Sequence, residues 1–299
     1  MIDYAKLQAL AAEAAKTKDM TQATKGGGDY TPPAAGFCKL RFISYIELGQ
    51  QASTFQGVTT FKPAARLAFE VSGPRHPGHT NTETGVVTPT IISFELPISM
   101  NDKAGFFKLF NRMNYAGKAQ HIAQLLGDAF IGEVVHRKYA KRGEDKADQS
   151  KWTGIDVSLK TKDGFTIKPP RVTNVETGDE TVVSVDAPKT PLTMFLWELA
   201  DLEQWASIYI EGEWPERKDD KGVVTRPATS KNVLQAKIKG AKNFPNSPIY
   251  TLLLAGGQNI DIPDSTQDLD PDNPEAGADD AAPAPTDKPA QPDPLGGIA

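Results

Sequence analysis

The segment His136-Arg137-Lys138-Tyr139-Ala140-Lys141-Arg142, followed by Lys146, Lys151 and Trp152, sets cations and aromatic rings side by side. Over 136–152, six Lys/Arg face three acids, Glu144, Asp145 and Asp148. This is the chemistry that single-stranded nucleic acid calls for. Cations follow the phosphates and rings stack on the bases, each stack being worth about 1–3 kcal/mol. A second basic-aromatic set comes from the outward positions of two strand-like stretches, Lys39, Arg41 and Tyr45 in 37–46 and Arg66 in 64–72. The plainer reading of 136–152 is a solvated hairpin whose lysines prevent edge pairing, and the independent second set argues against it. The expected contact residues are therefore Lys39, Arg41, Tyr45, Arg66, Arg137, Lys138, Tyr139, Lys141, Arg142, Lys146, Lys151 and Trp152. Alternation leaves two faces open for 129–142: Val135, Arg137 and Tyr139 share one, His136, Lys138 and Ala140 the other.

Other chemistries find no residues to carry them. A phosphate-cradling Gly-rich turn ending in Gly-Lys-Ser/Thr does not occur, and neither does Gly-x-Ser-x-Gly or His-Glu-x-x-His. His76 and His79 have ligand-like spacing, but they lie in a Pro/Gly loop with no thiolate and only Glu83 nearby. Glu211 and Glu213 could hold a divalent cation from one strand face, an arrangement equally common in purely structural sheets. His121 and His136 have no adjacent Ser or Cys partner. The expectation is a protein without catalytic residues, metal or cofactor.

The 299 residues are enough for about two domains, or for one large domain with appendages. One cysteine, Cys38, allows neither an internal disulfide nor a multi-thiolate metal site, which suits a reduced, cytoplasmic setting. No apolar run approaches the ~20 residues of a membrane-spanning helix. Asp3, Lys6 and Glu13 interrupt any signal-peptide core. The formal net charge of −5 hides an asymmetry. Residues 261–299 hold ten acids, one base and eight prolines; the 32 bases and 28 acids that remain give the body +4 against −9 for the tail. Such a tail buries too little to offset its ordering entropy and reads as disordered. The plainer reading of such a tail is a solubilising appendage; its charge also fits an interaction arm that competes with nucleic acid for the basic body.

These residues must be positioned by elements. Asp3 caps a short Ala-rich helix to about Lys18, and the Gly/Pro-rich stretch 21–36 is a linker, so 1–36 precedes a body at 37–260. In 37–46 one face collects Cys38, Leu40, Phe42 and Ile46, the other Lys39, Arg41 and Tyr45. Strands also fit 64–72 and 90–98, with a long Pro/Gly/Thr loop at 73–89 between them. Asn101 or Asp102 caps a helix through Met113, and a second short helix fits 118–126. Strands at 129–142 and 152–162, joined by the charged connection 143–151, form an extended hairpin. Further strands are expected at 165–168, 182–185 and 206–214, and helices at 192–202, 230–241 and 247–255. The class is mainly β with helical decorations (α+β), as a barrel or curved sheet.

Four stretches occur in a familiar order: Lys62-Pro63-Ala64-Ala65-Arg66-Leu67-Ala68-Phe69-Glu70, Leu126-Gly127-Asp128-Ala129-Phe130-Ile131-Gly132-Glu133-Val134-Val135-His136, Trp152-Thr153-Gly154-Ile155, and Trp205-Ala206-Ser207-Ile208-Tyr209-Ile210-Glu211. Over roughly 37–255 the chain resembles bacteriophage single-stranded-DNA-binding-like proteins. The resemblance implies an OB-like β-barrel core acting in DNA replication or recombination, with single-stranded DNA near Arg41, Tyr45, Tyr139 and Trp152. It further implies an acidic tail that recruits replication or recombination proteins. Such tails often end in an aromatic residue, whereas this one ends Leu295-Gly296-Gly297-Ile298-Ala299.

Overall fold

The structure, a computed structural model, describes residues 32–55, 57–80, 85–141, 143–218 and 222–257. Arg142, the expected N-terminal helix, most of the linker and the 261–299 tail lie outside the described residues. The fold is mainly β. Its principal sheet is built from β1 (Gly36–Phe55), β2 (Val58–Ser72), β3 (Thr90–Pro97), β4 (Ala129–Tyr139), β5 (Gly154–Ser158) and β6 (Thr193–Phe195), in the order β3-β2-β1-β4-β5 with β6 added beside β1. All neighbours are antiparallel except β6, which runs parallel to β1. Cα atoms of β3 and β5 come within 8 Å of each other, yet no ladder joins them, so the sheet curls without closing.

The period-two pattern explains the first core. Cys38, Leu40 and Phe42 of β1 lie on one face with Leu67, Phe69 and Val71 of β2, Ile92 and Leu96 of β3, and Phe130 and Val134 of β4. Phe42 and Phe69 stack at 5.2 Å between centroids, and Phe69 and Phe94 at 5.9 Å. Each such buried ring contributes roughly 1.5–3 kcal/mol. Helix α1 (Gly105–Met113) closes this core with Phe106, Leu109 and Met113, three residues at helical spacing. Its N-cap is Ala104, which makes no side-chain cap bond; Asn101 instead accepts from the Lys103 amide. The expected helix at 118–126 is a single 3₁₀ turn, Ile122–Leu125. His121 caps it through the Ala123 amide, and Gln124 reaches back to the His121 amide.

A second core lies beyond a β-bulge. Phe42 opposes Phe69 but Ser44 opposes Ala68, so Ile43 is an extra residue on β1 and the alternation inverts there. Tyr45, expected on the outer face, is therefore 1% exposed in the first core, and Ile46 passes to the other side. Ile46 and Leu48 meet Phe195 of β6, Trp197, Trp205 and Ile208, together with Ile238, Phe244, Ile249 and Leu253 from the C-terminal helices. Trp205 comes from α2 (Leu202–Ser207), Ile238 from α3 (Val233–Lys239), Phe244 from the 3₁₀ turn Phe244–Asn246, and Ile249 and Leu253 from α4 (Pro248–Ala255). Gly49, at φ +73°, sits where a Cβ would lie 2.3 Å from the Trp197 ring, so no side chain fits this junction.

Two expected elements in this region are corrected. The stretch 192–202 is not a helix: β6 pairs with β1 through Ser44–Thr193 and Ile46–Phe195, and the helix begins only after Asp201. Asp201 accepts from the Gln204 amide, an N-cap followed three residues later by Gln. The stretch 206–214 is not a strand, because Trp205 and Ile208 enter the core at helical spacing and only Glu213–Trp214 pair, with Thr229–Ser230. The expected helices at 230–241 and 247–255 form as α3 and α4, the latter capped by the Ser247 hydroxyl.

Candidate nucleic-acid interface

The outer face of β1 and β2 is not open. Residues 185–190 cross it as a strap whose backbone has no ladder of its own, and charged side chains of the sheet satisfy it. The Arg41 guanidinium donates to the carbonyls of Gly127 (2.8 Å), Asp186 (2.7 Å) and Val185. Opposite Arg41, the buried Glu70 carboxylate accepts from the amides of Lys189 (3.0 and 3.1 Å) and Thr190 (2.8 Å). Burial pushes the Glu70 carboxyl up, but these amides and the Thr190 hydroxyl outweigh it and hold the group below the usual carboxylate range. Arg66 donates to Ser93 and faces Glu95 at 3.7 Å, and Lys237 also reaches Glu95. Tyr45 donates its hydroxyl to Glu47 (3.0 Å); burial, then the Glu47 charge, raises its pKa and keeps it neutral. Arg41, Tyr45 and Arg66, three of the expected contacts, thus hold the fold together.

The open face lies along β1, β4 and β5. Lys39 stands opposite Ile131, and Ile131 opposite Lys168, so two lysines flank one isoleucine on the outer side. Phe37, two residues before Lys39, opposes Glu133 and is 52% exposed. Farther along β4 the same face carries Arg137, opposite Asp156, and Tyr139, opposite Gly154. The Tyr139 ring lies on Gly154, where a Cβ would come within 2.6 Å of it. This fixes the ring flat at the end of the hairpin, as aromatic cover over a strand glycine. The burial of 129–139 follows: Phe130, Gly132 and Val134 face the first core, Ile131 is buried on the outer side between the two lysines, and His136 to Lys138 project beyond the core. Sequence reasoning missed Phe37 and Lys168. Phe37 has the same parity as Lys39 and was detectable; Lys168 reaches β4 only through one long-range bridge.

In the loop 140–153 the three acids are tied to the loop itself. Glu144 accepts from the Lys141 amide (2.9 Å), the Thr153 amide (3.1 Å) and the Thr153 hydroxyl (2.5 Å), stapling the two ends of the loop. Those bonds, the Thr153 hydroxyl first, hold its carboxyl below the usual range. Asp145 accepts from the Ala147 amide, and its carbonyl takes the Trp152 indole N–H at 3.0 Å. Asp148 accepts from Ser150 and pairs with Lys151 at 3.0 Å. Lys138, Lys141 and Lys146 are exposed, and none has an ion-pair partner among the described residues. Trp152 is half-buried, its ring placed at the loop's end by that indole bond.

The hairpin is also tied to the chain that leads into β1. The carbonyls of Pro33, Ala34 and Ala35 accept in turn from His136 Nε2 (2.7 Å), His76 Nε2 (2.8 Å) and Arg75 Nη1 (3.3 Å). His76 and His136 therefore work as backbone clamps. No cluster of three or more His, Cys, Asp or Glu among the described residues could hold a metal. No helix among them is long and apolar enough to cross a membrane. No family model, no curated protein and no solved structure matches this chain.

Proposed function

We propose that the protein binds single-stranded nucleic acid, DNA in the first instance, without catalysing a reaction on it. The observation that carries this reading is the outer row of Phe37, Lys39, Lys168, Arg137 and Tyr139, which continues into the exposed Lys141 and Lys146 of the following loop. The row carries three cations between two rings, with Glu133 and Asp156 as its acids, and the three acids of the following loop are engaged with that loop's own backbone. Flat rings stack on bases without regard to sequence, while the lysines follow the phosphates.

The topology supports an OB-type reading. β1 pairs with both β2 and β4, β3 follows β2, a helix separates β3 from β4, and β3 lies alongside β5 without a ladder. An OB fold is a partly open five-stranded barrel that offers its loops 1–2 and 4–5 to oligonucleotides, and 140–153 is the 4–5 loop here. In this proposal the 261–299 tail, tethered to a body of opposite charge, competes with the nucleic acid and recruits partners in replication or recombination.

A fluorescence titration with a short labelled oligonucleotide at two salt concentrations tests the reading. If Z phosphates are engaged, log K falls against log[salt] with slope about −0.7Z for single strands. No binding, or binding indifferent to salt, overturns the proposal and favours a structural role in a phage particle or its assembly.

A further inference from the structure

Where β1 changes partner from β4 to β6, the 3₁₀ turn 122–125 and the segment 194–199 stand apart and leave a cavity of about 480 Å³. Its walls are apolar: Ala123, Met194, Leu196 and Leu199, the last 71% exposed at the mouth. Its polar lining residues are Glu47, Glu198, His121 and Gln124. The volume lies in the range of small-molecule sites, roughly 300–1,000 Å³.

The chemistry of that lining selects the ligand. Glu47 accepts the Tyr45 hydroxyl on Oε1 (3.0 Å) and the Trp197 amide on Oε2 (2.7 Å), so its carboxylate is fixed in place. His121 Nδ1 accepts from the Ala123 amide, which leaves the ring hydrogen on Nε2 when the imidazole is neutral. That Nε2 stands 3.7 Å from Glu47 Oε1, too far for a hydrogen bond. Oε1 thus keeps acceptor capacity that the imidazole does not take up. Glu198, exposed, adds a second negative charge at the cavity. An anion would be repelled here. A plain hydrocarbon would leave both carboxylates without a counter-charge.

We propose that this cavity binds a small organic cation, an ammonium carried on an aryl or alkyl body, with the body against Met194, Leu196 and Leu199 and the ammonium between Glu47 and Glu198. An ammonium has three donors and no acceptor, which suits two carboxylates. The site lies off the Phe37–Tyr139 row, and the inference does not rest on nucleic-acid binding.

The test uses the full chain with ¹³C-methyl-labelled methionine and three probes of one shape, 4-phenylbutylammonium, 4-phenylbutanol and 4-phenylbutyrate. The expected result is a saturable shift of the Met194 methyl signal by the ammonium, with affinity about tenfold above that of the alcohol, and no shift with the acid. Glu198→Gln, on the exposed rim, should bring the ammonium close to the alcohol. Leu196→Trp should fill the cavity and abolish the shift while oligonucleotide binding stays as in the parent. Equal affinity for ammonium and alcohol, an unmoved Met194 signal, or binding that survives Leu196→Trp would overturn the proposal.

Discussion

Arg41 and Arg137 lie on the outer face of the same sheet, yet one is enclosed by carbonyls and the other projects from a hairpin. Over β1 and β2 the strap 185–190 brings carbonyls and amides that have no ladder, and Arg41 and Glu70 supply their partners. Along β4 and β5 the backbone satisfies itself, so Arg137, Lys138 and Tyr139 are released from that duty. The difference lies in the surrounding backbone. A charged side chain becomes structural where unpaired main-chain groups cross its path, because leaving such groups buried and unmet costs about 1–3 kcal/mol each.

The sharpest way to break this contrast is Glu70→Leu, which strands the Lys189 and Thr190 amides. Urea unfolding should show a loss of about 3 kcal/mol or more, with the folded protein binding oligonucleotide as before. Reduced affinity in the folded variant would erase the distinction between the two regions. Glu70 also titrates below its ordinary value of 4.5, so its stabilisation is full above that pH and is lost as the pH falls through the lower folded value. The acid limb of the parent's stability profile below about pH 4.5 should therefore flatten in the variant.

On the open side, Tyr139→Ala should weaken oligonucleotide binding by about 1–3 kcal/mol with an unchanged salt slope. The cost in stability should be the smaller one of a lost cross-strand pair, about 0.2–1 kcal/mol. A large stability loss with intact affinity would make Tyr139 a cover for Gly154 and nothing more. Lys141→Ala should shallow the salt slope by up to roughly 0.7. Lys151→Ala should change it less, since Asp148 already holds that ammonium at 3.0 Å. The smallest expected effect concerns Cys38, on the inner side of β1 between Phe37 and Lys39. Burial pushes its thiol up to about 12, so a thiol reagent at pH 8 should leave it unlabelled with or without oligonucleotide. Labelling on binding would mean that β1 and β4 part to admit the ligand.

Much of this was legible in the residues. Alternation in 37–42 and 64–72, the apolar run 90–98 and the helical spacing of Phe106, Leu109 and Met113 give the first core directly. The 136–152 cluster gave the exposed hairpin, because charge density keeps a hairpin in water. What failed was parity across a bulge: Ile43 inverts the positions from Ser44 to Glu47, before a second shift at Leu48, and nothing local announces an extra residue opposite the Phe69–Ala68 step. The fates of Arg41 and Arg66 depended on partners as far as 145 residues away, beyond any window of pattern. The strand at 193–195 looked helical because its apolar residues run together, and only the vacant edge of β1 makes it a strand.

That vacant edge has a consequence for biogenesis. β1 receives β4 along 36–41 and then, past the bulge, β6 along 44–46, from residues 149 positions later in the chain. During synthesis the backbone at Ser44 to Ile46 emerges early and waits for Thr193 to Phe195 to be made. An open strand edge beside half-built apolar surface is a template for pairing with another chain. Loop closure over such a separation also slows the pairing when it comes. The vulnerable interval in the life of this protein is therefore the wait on the ribosome, and a slower codon run between β1 and β6 should raise aggregation without altering a single residue.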